Sequence, residues 1–536
     1  MRLGAIPGAI VALLAAGPLF AQHGLIAIPL SDPVYVQIDG LLRQGCRAAM
    51  ISPFRPYLAS QIRDAVGHAE RDSSCAGTIR DALGKRFAQV ASDSIAAESL
   101  RSRLSFGAAA TLRATARRDL EYRPLWRDIR PDSVGDRVAV GIVRGRVTWN
   151  GGDRLVAVAD AYAQSSRRND PQVRGRGFRQ SEAVVDFGDS YVNGSIGPLT
   201  VSLGRSGESW LAEANESLVL SAQGPPLDRL SASARWRRFE ARALFSSVND
   251  VVLDARDSLT VGIPPQRVHR FLAAHALTFR PSPSWEFTLG ETALLTRRGA
   301  GVDLAFVNPV MLYVVSENDT SRAGAAADGN NLTAFGSVRA VRGRATAAAE
   351  LVVDDIQIDG KDRENIPDQL AWRLAASIGL PLFVPASVGV EYKRVGSFTY
   401  LRRSYAEVYQ QYDSPLGSEL GPDADLFRAF GEVWGNGRLR FGGRVGRWRR
   451  GARRIDMRPA EGAFGHAGEP FPSLTVSRAS VQSAWLGDVS AEFLDRILPV
   501  TIRAEVARVD NVNNQPAQSA TYFRASLVGT YQFRYP

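Results

Sequence analysis

The sequence predicts a mainly β, transmembrane outer-membrane β-barrel of about 16–18 antiparallel strands with a small N-terminal helical bundle. Three observations lead there. The last stretch of the chain alternates with a period of two: Phe523, Ala525, Leu527, Gly529, Tyr531, Phe533 and Tyr535 are apolar, aromatic or small, while Arg524, Ser526, Val528, Thr530, Gln532 and Arg534 lie between them. Side chains alternate across a strand, so one face is apolar and the other largely polar and basic. The N-terminus reads as an export signal, with Arg2 as its charge, Ile6 to Phe20 as its apolar run and Leu19-Phe20-Ala21 as a cleavage site. Between these ends, many β segments run ten residues or more, the length a tilted membrane strand needs.

The signal is assigned to residues 1–21, and its apolar run is too short and too interrupted by Gly and Pro to span a membrane. Residues 22–98 read as a periplasmic bundle of three short helices. Val34, Ile38, Leu41 and Leu42 follow helical spacing after a Ser31-Asp32-Pro33 start, and Gly45 closes that helix. A second pattern carries Leu58, Ile62 and Val66; a third begins at Thr78 with Ile79, Leu83, Phe87 and Val90. Such a bundle is too small for a typical barrel plug. Its Cys46 and Cys75 are candidates for a disulfide, since the periplasm permits one; two unpaired thiols in a small core are the alternative.

Residues 99–536 form the barrel. Leu439, Phe441, Gly443 and Val445 alternate with Arg438, Arg440, Gly442 and Arg444; Trp372, Leu374, Ala376, Ile378 and Leu380 alternate with Arg373, Ala375, Ser377 and Gly379. Val500, Ile502, Ala504 and Val506 alternate with Thr501, Arg503, Glu505 and Ala507. A β-sandwich also alternates, but with shorter strands. Tight turns at Ile196-Gly197-Pro198, Leu380-Pro381-Leu382 and Leu498-Pro499 suit the periplasmic rim; longer polar stretches at 164–181, 315–331, 402–427 and 449–475 suit the outer one. The mean hydropathy of −0.13 fits a barrel whose lipid face is diluted by lumen and loop residues.

The net charge is +10, carried almost wholly by arginine; lysine occurs only at 85, 361 and 393. Arginine's planar fork suits carboxylates and phosphates, so an anionic partner is expected, and export argues against nucleic acid. Two basic clusters stand out: Arg167, Arg168, Arg174, Arg176 and Arg179, and Arg447, Arg449, Arg450, Arg453 and Arg454. They read as a solvated rim touching lipid phosphates, or as attractors of an acidic glycan. Tyr392, Tyr400, Tyr405, Tyr409 and Tyr412 crowd one region, where aromatic faces can stack on sugars or serve a membrane girdle; periodicity favours the girdle.

Nothing in the chain reads as catalytic. Asp354 and Asp355 are adjacent on a strand and point to opposite faces, so they cannot converge on one substrate unless a bulge intervenes. Gly204-Arg205-Ser206-Gly207-Glu208 has its second glycine one place too early for a nucleophile elbow. The five histidines show no metal-ligand spacing, so neither metal nor cofactor is expected.

Several segments stand in a recognisable order: Pro33-Val34-Tyr35 through Leu41-Leu42 and Arg55-Pro56-Tyr57; Phe306-Val307-Asn308-Pro309 with Gly329-Asn330-Asn331-Leu332; Glu350-Leu351-Val352-Val353-Asp354-Asp355-Ile356; and Val390-Glu391-Tyr392 with Thr399-Tyr400. Pro415-Leu416-Gly417 and Gly421-Pro422-Asp423-Ala424-Asp425 follow. In type and order these segments resemble the Wzi family of outer-membrane capsule-assembly proteins. Ser209-Trp210-Leu211-Ala212 and Ser217-Leu218-Val219-Leu220-Ser221 depart from a Trp-Gly-Pro-Gly-like run expected there.

The resemblance implies a barrel of about eighteen strands, and a non-enzymatic lectin that holds capsular or exopolysaccharide at the cell surface. Outer-membrane lipid and the barrel-assembly machinery are its other expected partners. The candidate ligand positions are Asn330, Asn331, Asp354, Asp355, Glu391, Tyr392, Tyr400, Asp423, Asp425, Arg449, Arg450, Arg453 and Arg454; the Asn and Asp residues are read foremost as fixing loop geometry. The rival reading is a porin or substrate-selective channel, which bulky inward side chains would argue against.

Overall fold

A computed structural model of the chain describes residues 24–85, 103–118, 137–152, 154–165, 184–211, 217–222, 226–253, 266–297, 304–317, 330–355, 368–402, 404–412, 414–455, 481–495 and 497–535. The expected signal peptide, the first basic cluster at 167–179, and Phe87 and Val90 of the third helical pattern lie outside these residues.

Eighteen antiparallel strands close into a barrel. They are β1 (Arg103–Arg118), β2 (Arg137–Asn150), β3 (Leu155–Gln164), β4 (interrupted, Val184–Phe187 and Ser190–Ile196), β5 (Leu199–Ser206), β6 (Leu227–Trp236), β7 (Phe239–Leu253), β8 (Gln266–Ser282) and β9 (Trp285–Arg297). The second half comprises β10 (Asn330–Arg342), β11 (Ala345–Asp355), β12 (Gln369–Leu380), β13 (Ala386–Val395), β14 (Ala424–Gly435), β15 (Leu439–Arg450), β16 (Gln482–Phe493), β17 (Val500–Asp510) and β18 (Ser519–Tyr535). Each strand pairs with its sequence neighbour, and β18 returns to β1, so among the described residues the barrel leaves no strand edge unpaired. Across that seam the Thr111 and Thr530 hydroxyls share a hydrogen bond of 2.9 Å.

The period-two pattern builds the wall. Phe441, Leu374 and Ile502 are exposed on the outside, whereas Arg440, Arg373 and Arg503 from the same strands turn inward to carboxylates. Trp236, Phe239, Trp285, Phe287 and Phe493 are exposed near the rim of short turns, as an aromatic belt requires. At that rim the β14–β15 turn uses Asn436 and Gly437, both at positive φ, which glycine adopts freely and asparagine tolerates. No helix among the described residues is long and apolar enough to cross a membrane.

The N-terminal segment forms α1 (Val34–Arg43), α2 (Ala59–Ala69) and a third helix over residues 77–85. Asp32 accepts the Val34 N–H at 2.8 Å, and Gly45 at φ +88° turns the chain out of α1. Cys46 and Cys75, 29 residues apart, are joined by a disulfide. One expectation is corrected here: the bundle does fill a barrel mouth. Gly40 of α1 lies against the buried Trp434 ring, Arg43 pairs with Glu432 at 2.9 Å, and Gln37 and Leu42 bond Gly437 and Thr346 of the wall. Three short helices understate the bundle, because the chain of 51–53 also reaches the wall: Ser52 donates to Glu240 at 2.8 Å and Arg235 donates to the Ile51 carbonyl.

Candidate functional site: a filled lumen and the long-connection rim

The second filling of the lumen comes from the opposite rim. Residues 396–402, 404–412 and 414–423, between β13 and β14, fold inward together with residues 207–211 and 217–221, between β5 and β6. Trp210, Leu218, Tyr400, Tyr409 and Leu416 are buried there with Leu272, Leu294, Val352 and Trp448 of the wall in one apolar cluster. The bundle reaches the same cluster, since Phe54 and Arg55 pair in register with Trp210 and Ser209, and the Phe54 and Trp210 rings meet edge to face at 5.0 Å. Bundle and inward segments thus form one continuous packing along the lumen side of the wall.

Polar side chains of the wall fix this plug. Asp354, on the lumen face of β11, accepts the Tyr400 N–H at 2.6 Å and the Arg402 guanidinium at 2.9 Å. Glu350, two pleat repeats below on the same face, accepts Leu218 N–H at 3.3 Å and Arg373 at 3.0 Å. Arg270, almost wholly buried on β8, donates to the carbonyls of Val408 and Gln410 at 2.8 and 2.7 Å. Asn331 donates to the Glu407 carbonyl at 3.0 Å. The Tyr400 and Tyr409 hydroxyls donate to the Leu218 and Val219 carbonyls, tying the two inward segments together. Burial raises both phenols above their ordinary pKa, so they stay protonated donors at neutral pH. Tyr400 and Leu211 hold φ of +74° and +77°, costly for residues with a Cβ, and each is held by a backbone bond, from Tyr400 to Asp354 and from Leu211 to Pro53. Gly417 must be glycine: a Cβ would overlap the Leu218 carbonyl and the Tyr400 hydroxyl.

Away from the plug, lumen-facing charges alternate in sign. Arg373 bridges Glu350 and Glu391, each at 3.0 Å; Glu391 also takes Arg428 at 2.6 Å and lies 3.5 Å from Lys393. Arg444 pairs with Asp488 at 2.8 Å, and Arg503 and Arg524 share Glu505. Of these groups Arg373, Glu391, Arg428, Arg444, Asp488 and Arg503, together with Arg43, Arg440, Glu432 and Glu492, line a cavity of about 310 Å³ between α1 and the wall.

The remaining candidates separate by strand face. Asp423 (φ +59°) accepts the Ser397 hydroxyl and the Arg453 N–H and leaves no room for a Cβ on Gly451; Arg453 lies over the Phe398 ring. Asn330 accepts Arg297 at 2.8 Å. Asp425, Tyr392 and Arg394 instead point outward, where Asp425 accepts the Tyr392 hydroxyl at 3.1 Å and pairs with Arg394 and Arg449. Arg449 and Arg450 end β15, correcting their assignment to a loop; Arg454 is half-buried beyond it. The Asp355 side chain is outside the described residues. The girdle reading of the tyrosines is corrected for Tyr400, Tyr405 and Tyr409, which are buried in the plug; Tyr392 alone of these four faces outward.

Arg270 was not singled out in the sequence, and Glu208 figured there only as the end of the Gly204–Glu208 run; it is buried and pairs with Arg229 and Arg242 at 2.6 and 2.9 Å. The readable signal was the apolar, non-alternating run Leu218-Val219-Leu220 inside a connection, which has to bury itself somewhere.

The family model of the capsule assembly protein Wzi matches residues 133–521, well over half of the chain. The chain belongs to the Wzi family. Among solved structures, this Wzi-family protein matches Escherichia coli Wzi at 11% identity and TM-score 0.58, covering 95% of this chain and 99% of that one. That protein is described as an outer-membrane, carbohydrate-binding β-barrel involved in group 1 capsule assembly. Pseudomonas aeruginosa OprD (10% identity, TM-score 0.44, 81% and 96% covered) and Acinetobacter baumannii OccAB4 (9%, 0.44, 82% and 99%) also match. A comparison with curated protein sequences finds no match. As a Wzi-family member the protein is an outer-membrane barrel with a role tied to surface polysaccharide.

Proposed function

We propose that this protein binds surface polysaccharide at the long-connection end of the barrel and helps hold it at the cell, without covalent change to the sugar. The observation that carries the reading is the plug. The lumen is committed to buried tyrosines, tryptophans and leucines fixed by Asp354, Glu350, Arg270 and Asn331 from different strands. A wide aqueous channel has no use for that packing, whereas a surface that must present polar and aromatic groups in fixed positions gains from it, because binding then orders less of the protein. The long-connection rim adds arginines, among them the half-buried Arg450 and Arg454, that suit an acidic glycan. In this reading the rim of short turns and the helical bundle face the periplasm.

The test is a strain lacking the protein, complemented by the natural chain or by a chain carrying Arg450→Gln and Arg454→Gln. Polysaccharide is measured on washed cells and in the medium. The proposal expects loss of cell-bound polymer into the medium in the deletion, restored by the natural chain and restored less by the variant. Unchanged retention in the deletion strain would sink it.

A further inference from the structure

The outward face of β14 to β17 carries a polar row that the plug does not use. In register, Phe427 of β14 stands beside Arg447 of β15, Trp485 of β16 and Arg508 of β17. Arg447 and Arg508 are exposed, and Trp485 is 59% exposed between them. The Arg447 guanidinium lies over the Trp485 ring at 5.8 Å, and Arg508 donates to the Thr521 and Ser519 hydroxyls at 3.3 and 3.4 Å. With strands about 4.8 Å apart, the Cα atoms of the two arginines stand about 10 Å from each other, close enough for both forks to reach one phosphate group or two on one headgroup.

The neighbouring rows set the direction. One row toward the short turns are Val445, Gly487 and Val506; the valines are exposed and Gly487 leaves a shallow trough between them. One row toward the long connections are Arg449, Ser483 and Asp510. Arg449 is held by Asp425, and the Asp510 carboxylate is 4.0 Å from Arg508, so both carboxylates sit on the water side of the arginine row. From rim to midplane the sequence is therefore mixed charge, guanidinium with tryptophan, then apolar. That is the polarity order of a lipid leaflet at its headgroup level, where tryptophan belongs. A solvated rim would not need an exposed tryptophan sandwiched by cations next to exposed valines.

We propose that Arg447, Trp485 and Arg508 form a binding site on the barrel's outer wall for a phosphate-headed lipid of the outer leaflet. The guanidiniums hold the phosphate, Trp485 lies at the headgroup boundary, and an acyl chain follows the Val445–Gly487–Val506 trough. The site rests on the outer-membrane placement and is independent of polysaccharide binding.

The experiment is native mass spectrometry of the purified full-length barrel. It is equilibrated with a bisphosphorylated, multiply acylated disaccharide lipid or with the same lipid lacking phosphates. The natural chain should retain the phosphorylated lipid about tenfold better or more. Arg447→Gln with Arg508→Gln should abolish that preference, and the paired lysine variants should restore part of it. Arg237→Gln, at the short-turn rim where Arg237 lies over Trp236, should leave it intact. Heat-modifiable gel mobility verifies that each variant is a folded barrel. Equal retention of both lipids, or an undiminished preference in the glutamine variant, would overturn the site. Displacement of the lipid by millimolar inorganic phosphate would show a free-anion site and overturn the lipid assignment.

Discussion

Replacing Asp354 by alanine should release the plug while leaving the barrel closed. Asp354 is 6% exposed and accepts two hydrogen bonds from the inward segment, from Tyr400 N–H and from Arg402. Losing the acceptor leaves the Tyr400 N–H buried and unsatisfied, at about 1–3 kcal/mol. It also leaves Arg402 without its carboxylate. That guanidinium is partly exposed and still reaches the Leu332 and Asp354 carbonyls, so its share is discounted to about 1 kcal/mol. The sum, about 3 kcal/mol, corresponds to an opening of the segment raised about 150-fold. Tyr400, at φ +74°, gains a further reason to leave once its N–H is unheld. Amide hydrogen exchange of peptides spanning 398–411 reads this directly: they should lose protection in the variant while peptides from β15 to β17 keep theirs. Asp354→Asn, which keeps an acceptor but not the charge, should show a smaller effect. Unchanged protection in 398–411 in the alanine variant, or equal loss across the barrel wall, would refute the reasoning.

Three further outcomes follow from the same contacts. Removing the Cys46–Cys75 link, which closes a separation of 29 residues, should destabilise the helical bundle by about 3–4 kcal/mol in the chain-entropy account, measured by denaturant-dependent proteolysis within 24–85, with the barrel's gel mobility unchanged; resistance equal to the natural chain would contradict it. Gly40→Val should force α1 off the Trp434 ring at about 1–3 kcal/mol and speed exchange of the α1 amides, with Gly40→Ala milder; no change in either would show that the helix does not sit in the mouth. Tyr400 and Tyr409 should be missing from the tyrosinate absorbance rise near pH 10 while the plug is docked. Because burial raises their folded pKa values, their contribution to docking is complete below the ordinary tyrosine range and is lost as pH climbs through it toward the folded values. All fourteen tyrosines titrating near pH 10 in the folded barrel would refute that.

The wall was legible because lipid and lumen impose opposite demands on alternate residues: Phe441 and Arg440, or Ile502 and Arg503, declare their faces without any knowledge of neighbours. The strand number followed from chain length and spacing for the same reason. The plug was not legible. Tyr400, Tyr405 and Tyr409 have the composition of a girdle, and periodicity carries no information on whether a connection turns outward or folds back into the lumen. Asp354 could be assigned a face from its strand, yet its partner Tyr400 is 46 residues away and became visible only with the inward fold of the segment that carries Tyr400. Asp425 and Arg449 likewise sit in separate motifs until the β14–β15 register sets them side by side. Arg270 stands alone in the sequence, and its role depends on two carbonyls more than a hundred residues distant.

The central claim, a plugged barrel that binds surface polysaccharide, is tested most directly by calorimetric titration. The purified, detergent-solubilised protein is titrated with polysaccharide isolated from its own host's surface. The account predicts saturable binding, weakened when Arg450 and Arg454 are neutralised and retained when the lipid-facing Arg447 and Arg508 are. No heat of binding from the folded protein at any polysaccharide concentration would contradict it.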